Sequence, residues 1–314
     1  MTVTIEANPS SIEAIDEQRL VKRAKRQDFR FAIVGFCVLV IVMAMLLVLI
    51  ADFMVDGVPR ISLEFFFNYP SRRPDQAGIL SAWVGSALVM LTTAALAVPI
   101  GVAAGIYLEE YARKNWLTDI IEINVTNLAG VPSIIYGLLA LGLFVQTLRL
   151  GQTILVAGMT LALLILPIII VATREALRSI PLEIREAAFG LGADKWQAVW
   201  MYLLPAARPG ILTGAIVGMS RAIGETAPII TIGALTFIAF LPPPPVQPEF
   251  PFVNFDWLTS PFTVMPIQMF NWISRPQAGF HVAAAATGVV LLIMTLLMNG
   301  LAIYIRYRIR RVHP

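Results

Sequence analysis

Six long apolar runs, separated by polar segments, organise this 314-residue chain. They lie near residues 31–51, 79–106, 121–144, 154–172, 211–241 and 280–305. The first, at roughly 1.5 Å per residue, covers about 30 Å as a helix, the thickness of a bilayer's hydrocarbon core. Pro99, Pro132, Pro167 and Pro228 fall within runs two to five. They predict kinks whose freed backbone groups are satisfied by neighbouring helices or water, which favours a packed bundle over lone anchors. Composition agrees: 58% hydrophobic and 14% charged residues exclude a soluble domain of this length. The expected fold class is all-α, a polytopic transmembrane bundle of six spans.

One polar stretch, 173–210, stands out between runs four and five. Ile184, Ala187, Ala188 and Leu191 recur at helical spacing. Gly190 and Gly192 then suit a turn or C-cap. After them Ala193, Trp196, Val199 and Trp200 resume spacings of three and four. Such a helix–glycine–helix piece is suited to dock into a cleft on a soluble partner.

Charge distribution sets the orientation. Residues 1–30 are polar, end in a basic run, and precede no small-residue cleavage site, so they read as a retained tail with a disordered start. With both ends inside, cytoplasmic segments carry seventeen Lys/Arg and outer loops five. That asymmetry requires an even number of spans and puts the 173–210 loop in the cytoplasm.

Run five carries the chemistry. Gly210, Gly214 and Gly218 form a small-residue stripe that lets another helix approach closely. Arg221 and Glu225 continue it on the same face, which predicts that both are buried there. They can pair along the helix. An intramembrane charge usually faces the protein interior or a water path. Two readings stand together. The pair ties the helix to a neighbour, or Arg221 meets an oxyanion in transit while Glu225 keeps the anion from being trapped. Glu122, Asn124 and Asn127 at the start of run three either cap the helix near the cytoplasmic interface or line a path. Pro242–Pro245 predicts a stiff polyproline spacer on the outer face.

Other chemistries are absent from the sequence. Cys37 is the single cysteine, and His281 and His313 are far apart, so neither a disulfide nor a metal cluster is expected. No Gly-Lys pair occurs, hence no Walker motif, and there is no nucleophile elbow. The chain is expected to hydrolyse no ATP and to bind no cofactor itself.

Glu186-Ala187-Ala188, Gly192, Tyr202, Leu204 and Pro205 stand at the spacing of the EAA loop and resemble that of ABC importer permeases, with Tyr202 where isoleucine is usual. The run Arg221-Ala222-Ile223-Gly224-Glu225-Thr226-Ala227-Pro228 resembles the signature of phosphate importer permeases of the PstA type. Gly130-Val131-Pro132-Ser133 through Gly137, and Leu166-Pro167 with Ile168 to Ile170, resemble the same family. Some relatives carry arginine where this chain has Val171, so anion handling there is absent or falls to Arg174.

The resemblance covers roughly residues 80–298. It implies a type I (MetI-like) importer permease fold; the apolar runs and charges set its parts as a first span at 31–51, a core of five spans at 79–305 with the cytoplasmic coupling loop 173–210, and a cytoplasmic basic tail at 306–314. It implies that Glu186, Ala187, Ala188, Gly192, Leu204 and Pro205 couple to an ATPase. It further implies a second, PstC-type phosphate permease, a cytoplasmic ABC ATPase dimer that hydrolyses ATP, an external phosphate-binding protein, and residence in a bacterial inner membrane. The alternatives are a permease of another oxyanion or amino-acid ABC importer and an autonomous secondary transporter. A membrane enzyme is disfavoured because polar catalytic groups do not cluster.

Overall fold

The computed structural model describes residues 9–247 and 252–312, with side chains for 24–247 and 252–308. Contacts divide the chain into two units, residues 1–55 and 56–314. The first is most of α1 (Pro9–Gly57), a single long helix. Its portion from Ala24 onward is long and apolar enough to cross a membrane, in agreement with the first run. The helix also extends back through the polar tail, because residues 12–30 hold no glycine or proline and many good helix formers. The disordered start expected for the tail falls on residues 1–8, outside the described residues.

The second unit contains α2 (Leu63–Phe67), α3 (Leu80–Ile106), α4 (Trp116–Leu128), α5 (Ser133–Ala140), α6 (Ile154–Arg178), α7 (Leu182–Gly190), α8 (Lys195–Gln197), α9 (Leu204–Gly224), α10 (Ala227–Thr231), α11 (Met265–Ile273) and α12 (Ala278–Val312). π-helical turns extend α3 over Tyr107–Tyr111 and α5 over Leu141–Thr147, and join α8 to α9 over Ala198–Leu203.

α6 is the hub. α3 packs along one side of it and α9 along another. Both approaches rest on small residues. A Cβ placed on Gly105 of α3 would meet the Thr173 side chain at 2.6 Å, and one on Gly214 of α9 would overlap the Ala172 side chain. Close backbone approach of this kind supplies packing energy where lipid gives no hydrophobic drive. The main apolar cluster, with Leu164, Ile165, Ile169, Ile223 and Ile229, fills the space around α6. A second cluster, containing Phe65, Trp272 and Phe280, closes the end of the bundle away from α7, with Trp272 6.3 Å from each of the two phenylalanine rings.

Among the described residues, four helical stretches are long and apolar enough to span a membrane, and five if one bent pair counts as a span. The difference from six apolar runs has a local cause. Run three is not one helix: α4 and α5 meet at 107° with Pro132 at the bend. Run five is not continuous either, because α9 ends at Gly224. Pro228 has no N–H to give the carbonyl of Gly224 and its ring would clash with that carbonyl, so the ladder of α9 cannot run on and Pro228 instead sits in the first turn of α10. Glu225 accordingly turns extended, with φ −78° and ψ 115°. Pro99 and Pro167, by contrast, remain inside intact helices. The proline run 242–245 is non-helical and ends at a bridge between Val246 and Val253.

Candidate functional site

The break after α9 gathers the charged residues of run five. Arg221 lies in the last turn of α9, where a cation is favoured by the helix dipole. Its Nε donates to Glu225 Oε1 at 3.3 Å. The side chains are 38% and 18% exposed within this chain. Arg221 is therefore not on the buried face that the glycine stripe predicts. α6 and α9 explain the correction. Their contact is tight at Gly210 and Gly214 and continues at Gly218 against Ile165 and Ile169, and beyond it Ala222 and Ile223 are the buried residues, so a stripe at every fourth position drifts around the helix and leaves Arg221 at its edge. No other hydrogen bond to Arg221 occurs among the described residues, which leaves its four Nη hydrogens available. Opposite the break, α10 packs on α5; Gly137 is tight enough there that a Cβ would collide with Thr231 and Pro228.

The polar stretch forms an exposed knuckle at the other end of α6. α7 carries Glu186 and Ala187 exposed and Ala188 buried. It ends in a Schellman motif: Gly192 N donates to Phe189 O at 2.9 Å and Ala193 N to Ala188 O at 3.1 Å. Gly192 has φ +85°, as that motif requires. Gly190 is ordinary helix and does not share the requirement. Asp194 and Gln197 then form a capping box that restarts the chain as α8. Leu204 and Pro205 open α9 after the π turn, which precedes a residue that has no N–H to give the ladder. Leu182, Phe189 and Leu191 stand out from the knuckle as exposed apolar side chains.

An ionic cluster joins this knuckle to the bundle. Glu110 in the π turn after α3 accepts from Arg185 Nη1 at 3.1 Å, while Arg185 Nη2 lies 2.7 Å from the other carboxylate oxygen as an ion contact and donates to Leu177 O. Its neighbour Glu109 receives Arg178 Nε at 2.9 Å and Arg174 Nε at 3.4 Å. Arg174 Nη2 reaches Glu122 of α4 at 2.5 Å. Arg174 is 7% exposed and its charge already faces two carboxylates, Glu109 and Glu122. Glu122, Thr126, Asn127, Val171, Arg174 and Arg178 line a polar cleft of about 380 Å³. Asn124 instead bonds back to Ile120 O, and Asn115, not Glu122, caps α4. Sequence reasoning passed over Glu109, Glu110 and Arg185. The signal was present: two consecutive carboxylates directly after a span, with arginines at the end of run four and in the polar loop to meet them.

Residues 97–311 match the family model of binding-protein-dependent transport system inner membrane components. The chain belongs to this family. It is 31% identical over 296 residues to the phosphate transport system permease protein PstA of Yersinia pestis, covering 91% of this chain and 92% of that one. It is 33% identical over 202 residues to the probable ABC transporter permease protein YqgI of Bacillus subtilis, covering 64% and 68%. In fold it is similar to a chain of the inward-facing MetNI methionine ABC transporter, with a TM-score of 0.55, 18% identity, and coverage of 74% of this chain and 95% of that one. The permease is thus a multi-pass transport subunit rather than an ATPase, and membership implies a second permease and ATPase subunits beside it. The all-α importer-permease fold expected from the sequence is borne out; the count of six spans is not established by the helices.

Proposed function

We propose that this permease forms, with a PstC-type partner, the path of an ATP-driven importer of inorganic phosphate. The observation that carries the reading is Arg221: an incompletely engaged guanidinium, open to the outside of its own chain, beside a broken helix. Irregular backbone within a membrane is tolerated where it is buried in protein or lines a cavity. Discontinuous helices commonly form substrate sites near the midplane of transporters. A second permease facing this chain would enclose Arg221 between the two subunits. The four free Nη hydrogens suit the oxygens of a tetrahedral anion, and Glu225 tempers the charge so that the anion can leave. The PstA relatives, named for phosphate transport, support that choice of anion over others with similar geometry.

The knuckle 186–200, with Glu186, Ala187, Ala188, Gly192, Leu204 and Pro205 in or beside it, is the proposed docking element for the cytoplasmic ATPase dimer. An external phosphate-binding protein delivers substrate, and ATP is consumed by the ATPase partners. The basic asymmetry supports placing both termini and the knuckle in the cytoplasm of a bacterial inner membrane. The broken α9–α10 segment is proposed to complete a sixth crossing.

Two experiments test this reading. Purification of the chain from its native membrane is expected to bring down an ATPase; an isolated, autonomously transporting chain would sink it. Reporter fusions at Arg72 and Gln247 are expected to read external and those at Lys114 and Lys195 internal. A cytoplasmic signal at Gln247 would contradict the six-crossing topology.

A further inference from the structure

We propose that Glu109 and Glu110 form an ionic junction that passes movement of α7 to α4, with Arg174 as the positioning residue that holds α4 in register. The proposal rests on the reading of α7 as the ATPase-docking element. It starts from adjacency. The two carboxylates are consecutive in one π turn, so a shift of that turn moves both. Glu110 holds Arg185 of α7 by one hydrogen bond and one close ion contact. Glu109 grips Arg174 and Arg178 at the end of α6. Arg174 then reaches across to Glu122 of α4.

α4 has little packing of its own to hold it. None of its side chains is buried, whereas α3 and α6 each bury many. Where packing is sparse, a close ion contact such as Arg174–Glu122 weighs more in setting position. Arg174 and Glu110 are nearly closed to solvent, at 7% and 6% exposure, so their interactions are strengthened by a low local dielectric. Beyond Glu122 the route is covalent and then packed: α4 bends into α5, and α5 packs on α10 directly after the Arg221–Glu225 break. Displacing Arg185 would therefore disturb Glu110, its neighbour Glu109, the hold on Arg174, and finally the helix that leads to the break. Coupling through chains of hydrogen-bonded and packed groups needs such a contiguous set of discrete contacts.

The test uses the assembled transporter in proteoliposomes, with Cys37→Ser and nitroxide labels at Ile123→Cys on α4 and Ser179→Cys after α6. ATP hydrolysis, solute uptake and the label-to-label distance are read with and without trapped nucleotide. The intact junction is expected to show a nucleotide-dependent distance change. Glu122→Gln and Arg185→Gln are each expected to keep hydrolysis, lose that change, and lower uptake per ATP at least about fivefold, the small end of typical allosteric couplings. Glu122→Asp retains the charge and is expected to recover much of the distance change, which a purely steric role would not predict. Should Arg185→Gln fail to assemble, Glu122→Gln stands alone, since Glu122 is 31% exposed and less dependent on its partner. A distance change that survives in both Gln variants, with uptake unaltered, would overturn the junction while leaving α7 as the docking element. A junction-intact transporter whose distance ignores nucleotide would overturn the docking reading and the junction with it.

Discussion

Arg221→Gln is expected to abolish most phosphate uptake while the complex still assembles. Glutamine keeps much of the length but removes the charge and most of the donors that remain free beside Glu225. Hydrogen bonds to charged groups contribute about 1.5–3 kcal/mol each, so losing one such contact predicts a fall of at least about tenfold. The single variant leaves Glu225, only 18% exposed, without its partner, and that alone can perturb the break. The double variant Arg221→Gln with Glu225→Gln removes the imbalance. If Arg221 handles the anion, the double variant assembles and still fails to transport. If the pair only braces the helix end, the neutral double variant recovers uptake, and the substrate role is refuted. Initial rates of labelled phosphate uptake, set against the amount of co-purified ATPase, check both outcomes.

Gly192→Val is expected to leave the subunit in the membrane, retain ATP hydrolysis, and uncouple it from uptake. The cause is backbone conformation. Nothing lies within 4 Å of the Cβ that valine would add, so no clash arises. The strain comes from φ +85° at the C′ position of the Schellman motif, where a side chain costs about 1–2 kcal/mol, more for a β-branched one. The helix end can relieve that strain by unwinding, which moves Phe189 and Leu191 away from the docking geometry. Gly192→Asn supplies a control, because Asn tolerates the left-handed region better, and it is expected to couple more nearly like the native chain. Gly190→Ala is a second control with no conformational demand and is expected to couple normally. Uptake and hydrolysis measured on the same vesicles read the ratio directly; normal coupling in Gly192→Val would make the knuckle a passive loop.

Much of this was legible in the sequence, and the remainder was hidden for physical reasons. Helix–glycine–helix at 186–200 could be read because the glycine signal is local: Gly192 acts through its own backbone. The long apolar runs also read correctly as helices in α1, α3, α6 and α12. Hydropathy did not reveal the breaks within runs three and five because it measures apolar content, and a helix broken at Pro132 or before Pro228 remains just as apolar. Both prolines were visible, but Pro99 and Pro167 sit inside intact helices, so proline alone does not distinguish a kink from a break. The burial of Arg221 was misjudged because a stripe at every fourth position drifts around a helix of 3.6 residues per turn, so the buried face reaches Ala222 and passes Arg221 by. The Glu109–Glu110 junction was missed for a related reason. Its partners lie 65 to 75 residues away, and only the packing of α3 on α6 brings them within reach.

The central claim is that this chain is the path-forming subunit of an ATP-driven phosphate importer. It is tested most directly by uptake of labelled phosphate into proteoliposomes that contain the chain with its co-purified partners and the external binding protein, with ATP available to the ATPase face. The account predicts uptake that requires hydrolysable ATP, collapses when this chain is omitted or carries Arg221→Gln, and resists competition by excess sulfate. Phosphate uptake by the chain alone, driven by an ion gradient without ATP, or ATP-driven uptake of a different solute in place of phosphate, would contradict it.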